Sequence, residues 1–78
     1  MILSDFKVGD KGIIINVSGE GPLRLRLLDM GIVPKTKIKV QKAAPFGDPI
    51  QISIRGYELT IRKEDASMIE VEREVDEI

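Results

Sequence analysis

Cysteine, histidine and tryptophan are all absent from this 78-residue chain. Without cysteine, neither disulfides nor thiolate metal sites can form. Without histidine, the side chain that most readily moves protons near neutral pH is missing, and Ser4, Ser18, Ser53 and Ser67 lack the base that ordinarily activates a hydroxyl nucleophile. Imidazole and thiolate are also the donors that borderline and soft metals prefer. The residues therefore predict no catalytic group, no cofactor site and no selective metal site. A chain so equipped is expected to act through its surface rather than as an enzyme.

Long apolar runs are missing too. No stretch approaches the roughly 20 apolar residues that span a bilayer. Met1, Ile2 and Leu3 are followed at once by Ser4 and Asp5, with no basic segment and no extended apolar one. The expectation is a soluble, cytoplasmic protein that meets a membrane only through a partner.

What is present is aliphatic and charged. Hydrophobic residues make up 42% of the chain, enough for one globular domain over residues 1–78. Residues 21–63 carry nine basic and three acidic side chains, whereas residues 64–78 carry one basic and seven acidic. Such polarity bears on partners more than on fold.

Alternation with period two dominates the chain. Ile13, Ile15 and Val17 are expected on one face of a first strand, and Ile38 with Val40 on one face of a second. Ile50, Ile52 and Ile54 mark a third strand, Tyr57, Leu59 and Ile61 a fourth, and Ile69 with Val71 a short fifth. Arg55-Gly56 reads as a tight hairpin, because glycine reaches positive φ without penalty. Residues 43–49, AAPFGDP, read as a longer exposed loop. One helix is framed by Pro22 at its start and Gly31 past its end, with Leu23, Leu27 and Met30 as its apolar stripe. A helical turn is expected around Glu64 to Ser67, and residues 74–78 are expected to fray. Pairing five short strands without exposed edges calls for a small barrel with one flanking helix.

Glycines in Gly9-Asp10-Lys11-Gly12 and Gly19-Glu20-Gly21 match no phosphate-binding pattern and read as turns. Carboxylates at the C-terminal end could hold a hard divalent ion loosely, and direct weak binding of ferrous iron through them is one alternative function. A stripe of Lys35, Lys37, Lys39, Lys42, Arg55 and Arg62 makes nucleic-acid binding another, although Phe6, Phe46 and Tyr57 are the only rings available for stacking. The prediction is no nucleic acid, since acidic residues at the C-terminal end repel phosphate. On the helix, Leu25 and Leu28 lie off the apolar stripe among Arg24 and Arg26. Either the barrel buries them, or they form an interaction patch. Arg24, Leu25, Arg26 and Leu28, with Tyr57 added, are the candidate partner-binding residues.

Three segments taken in order, LSDFKVGDKG, RLLDMGIVP and APFGDPIQISIRGYELTIRKEDASMIEVE, resemble the FeoA family. Together they run from Leu3 to Glu72. The resemblance implies an SH3-like β-barrel with a helix inserted after the first strand. It also implies a small cytosolic accessory of ferrous iron transport, monomeric or weakly self-associating, whose partner is FeoB, a membrane transporter with a GTPase domain. One departure is Lys35, where members of the family often carry glycine after the proline.

Overall fold

Ile50, Ile52 and Ile54 are all buried, and between them Gln51 and Ser53 face outward. This is the arrangement that alternation predicts for a strand with one wet face. The computed structural model describes residues 1–74. Its strands are β1 (Lys11–Val17), β2 (Lys37–Ala43), β3 (Ile50–Ile54), β4 (Tyr57–Ile61) and β5 (Ile69–Arg73). They form one antiparallel sheet in the order β4-β3-β2-β1-β5. A 3-10 turn (Leu3–Asp5) precedes β1, helix α1 (Gly21–Asp29) lies between β1 and β2, and helix α2 (Lys63–Ala66) carries the chain from β4 to β5. The element order and the aliphatic core follow the pattern in the sequence. The expected fraying of residues 74–78 falls outside the described residues except at Glu74, whose N–H donates to Lys11 O at 2.9 Å.

Side chains from every strand meet in one core with Leu3, Phe6, Leu27, Ile32 and Ala66. Two bulges bend the sheet around it. One interrupts the β1–β5 register between Ile14 and Asn16, the other the β2–β3 register between Val40 and Lys42. Bulges increase local twist and let a short sheet wrap. The first also changes which residues face inward. Ile13, Ile15 and Val17 were expected on one buried face, but Ile14 is the buried residue and Ile15 is 47% exposed. After the extra residue the phase shifts, so that Val17 is buried again.

The outer edge of β5 is partly covered by the N-terminal residues. Ile2 bridges Glu70, and Val71 N–H donates to Met1 O at 2.8 Å. Nearby, Arg73 holds Asp10 at 3.1 Å while its guanidinium lies 5.7 Å from the centre of the Phe6 ring. Phe6 in turn covers Gly12, where a Cβ would collide with that ring and with the Glu72 carbonyl. Among the described residues β4 pairs with β3 alone and is the other outer strand.

Candidate interaction surface

Helix α1 ends as Gly31 requires. The N–H of Ile32 donates to Leu27 O at 3.1 Å and that of Gly31 to Leu28 O at 3.0 Å, with Gly31 at φ +94°. These two bonds make a Schellman motif, and its apolar contact is supplied by buried Ile32 and Leu27. Pro34 then ends any continuation. A second lock comes from the β3–β4 hairpin. Tyr57 Oη donates to Met30 O at 2.5 Å and occupies the space a Cβ on Gly31 would need. Tyr57 shares its parity on β4 with Leu59 and Ile61 yet is 41% exposed, and its hydroxyl finds its acceptor at the helix exit.

The five candidate contact residues are thereby sorted. Arg24 is half-buried, and its Nε donates to Val17 O at 3.0 Å, so it ties the helix to β1. Leu28 is half-buried against the core, while Leu25 stands 59% exposed. Arg26 is exposed and reaches Asp65 of α2 at 3.8 Å, a loose pair whose arginine is free to face a partner. Leu25, Arg26 and Tyr57 are thus the accessible members, Arg24 and Leu28 are half-buried, and Tyr57 also holds the helix exit.

Beside Arg26 runs a groove of about 290 Å³ between α1, β4 and α2. Leu27, Met30 and Ile61 contribute apolar lining, and Arg26, Arg62 and Asp65 contribute charge. Sequence reasoning missed this groove and Arg62's part in it, since only the folded chain brings the end of β4 beside α1. The basic residues Lys37, Lys39 and Arg55 share the opposite part of the sheet with Lys11, where Lys11 and Lys39 are direct cross-strand neighbours. Lys37 meets Glu74 there at 3.7 Å.

Among the described residues no three carboxylates gather in a way that could hold a metal ion. Asp65 and Glu74 are engaged with basic side chains, and Glu70 and Glu72 project outward from β5. Among the described residues no helix is long and apolar enough to cross a membrane. The arrangement suits contact with another macromolecule: a locked helix, one exposed leucine, arginines around it and a groove alongside.

Comparison with known proteins agrees in sequence and in shape. Residues 1–73 match the model of the FeoA domain. Over 72 residues the chain is 43% identical to the Fe(2+) transport protein A/Fe(2+) transporter FeoB fusion protein of Porphyromonas gingivalis, covering 92% of this chain but only 8% of that relative. The FeoA-like protein from Clostridium acetobutylicum superposes with a TM-score of 0.91 at 36% identity, over 100% of this chain and 91% of the other. The FeoA of Stenotrophomonas maltophilia, an SH3 domain protein, shares the fold with a TM-score of 0.80 at 18% identity, over 92% and 89% of the two chains. The five bent strands with their inserted helix are therefore an SH3-like barrel, and with the family model spanning all but the last few residues, the chain belongs to the FeoA domain family.

Proposed function

We propose that this chain is an accessory of ferrous iron uptake that binds a FeoB-type transporter from the cytoplasmic side and modulates it through protein contact. One observation carries the reading: a close relative of this chain occurs in the same polypeptide as an FeoB transporter. Fusion holds two modules at high effective concentration, which is of use where separate chains would have to find each other. The surface of α1 supports the same view. Leu25 contributes apolar area, Arg26 and Arg62 steer an acidic partner, and the adjoining groove can take an inserted side chain. Nothing in the side-chain inventory supplies turnover, so the domain acts by docking, and the transporter does the chemistry.

The test is binding to the purified cytosolic domain of the transporter, with and without guanine nucleotide, followed by its GTP hydrolysis rate. Leu25→Asp is expected to abolish binding while leaving thermal unfolding unchanged, because the side chain lies outside the core. Leu28→Asp is expected to lower the melting temperature, because that side chain packs on the core. Full binding by Leu25→Asp would refute docking through α1.

A further inference from the structure

Phe46 is 98% exposed, at the tip of the loop between β2 and β3. A phenyl ring with almost no protein contact adds nothing to the core, yet the loop that carries it is held at three points. Gly47 N–H donates to Ala44 O at 2.7 Å, and Ala44 N–H donates to Pro49 O at 3.0 Å. The third tie is long-range: the N–H of Lys63, first residue of α2, donates to Asp48 Oδ1 at 2.9 Å. Pro45 and Pro49 restrict the backbone on either side. An apolar side chain on a pre-ordered loop loses little conformational freedom when it enters a pocket, which is the property of an interface anchor.

The surroundings give the sign of the partner. Lys63 Nζ lies 3.6 Å from where a Cβ on Gly47 would stand, and Lys42 lines the shallow groove beside Ala43, Ala44 and Pro49. Neither lysine has an ion-pair partner among the described residues. We propose that Phe46 is the anchor with which this domain enters an apolar pocket on the cytosolic part of the FeoB-type transporter, a pocket rimmed by carboxylates that face Lys42 and Lys63. This rests on the docking reading above and adds a second contact, away from α1.

Two other occupants fit less well. Even a single myristoyl chain gives only marginal membrane binding, and one phenyl ring buries less apolar surface than that chain does. A second copy of this domain offers grooves that are mostly basic, one bordered by Lys42 and one by Arg26 and Arg62 with Asp65 already paired to Arg26, so mainly like charges would meet there.

Calorimetric titration of the whole chain into the transporter's cytosolic domain tests the inference. Phe46→Ala is expected to weaken binding about tenfold or more (~1.4 kcal/mol) with an unchanged melting temperature. Phe46→Leu should keep most of the affinity, and Lys42→Glu with Lys63→Glu should slow association most at low salt. If Phe46→Ala binds within about twofold of the unmodified chain (~0.4 kcal/mol), the anchor is refuted and docking through α1 stands. If the unmodified chain does not bind at all, both readings fall together. The anchor is equally refuted if Phe46→Ala leaves transporter affinity intact but abolishes association with phosphatidylglycerol vesicles, or self-association in sedimentation.

Discussion

Replacing Gly31 by alanine tests how the interaction helix is held. Two penalties combine at this position. The backbone sits at φ +94°, where an L side chain is strained by about 1–2 kcal/mol. The new Cβ would also overlap Tyr57 Oη, which must move and give up its bond to Met30 O, at a further cost of about 0.5–1.5 kcal/mol. Gly31→Ala should therefore destabilise by about 2–3 kcal/mol, and for a domain of this size that lowers the melting temperature by roughly 8–24 °C. Tyr57→Phe alone should cost about 1 kcal/mol, by removing the donor from a partly exposed carbonyl. In the double variant the hydroxyl is already gone, so only the backbone strain of alanine is added. Urea unfolding of all four proteins should accordingly show a double variant more stable than the sum of the single losses predicts, by about 0.5–1.5 kcal/mol. Costs that simply add, within about 0.3 kcal/mol, would refute the claim that the hydroxyl and the glycine share one space.

Three further outcomes follow from other contacts. Lys35 stands at φ 73° with its N–H bonded to Ile14 O, so Lys35→Gly should stabilise by about 0.5–1 kcal/mol in thermal unfolding, relief of strain outweighing glycine's larger entropy loss. Asp48→Ala removes the acceptor for the first N–H of α2 and should cost about 1 kcal/mol, with faster amide exchange at Lys63. Ile14→Ala should cost about 2–4 kcal/mol in urea unfolding while Ile15→Ala stays within about 0.5 kcal/mol, a contrast that alternation without a bulge would reverse.

Strands and helix were legible wherever a residue's neighbours in the chain decide its environment. Ile50, Ile52 and Ile54 alternate because β3 is paired on both sides and buried on one face. Pro22 and Gly31 bracket α1 because both act on local backbone geometry. What stayed hidden was set by distant contacts. The residue inserted between Ile14 and Asn16 changes parity only because β5 pairs across it, and nothing in Ile13-Ile14-Ile15 marks where that happens. Tyr57 satisfies the alternation of β4 and yet turns toward Met30, 27 positions away. The contact residues divided for the same reason: Leu25 and Leu28 look alike on a helical wheel, but the barrel covers only one of them. The exposure of Phe46 was legible, since AAPFGDP reads as an exposed loop; what stayed hidden is the tie of that loop to α2, where Lys63 N–H donates to Asp48 Oδ1, 15 positions back.

Among the described residues the two most exposed large apolar side chains, Leu25 and Phe46, share a structural logic. Each is carried by an element fixed from outside itself: α1 by Arg24, Tyr57 and the Gly31 exit, the β2–β3 loop by Asp48 at the start of α2. Each contributes little to the core, so neither is retained for stability. A chain this short buries a small share of its surface and has a thin stability margin. Spending two large apolar side chains outside the core is costly for it, through lost burial and through a risk of aggregation. That cost is offset if a partner covers both, and since the supports are separate from the exposed tips, tip substitutions should change binding without changing folding, while substitutions at Arg24, Tyr57 or Asp48 should change both.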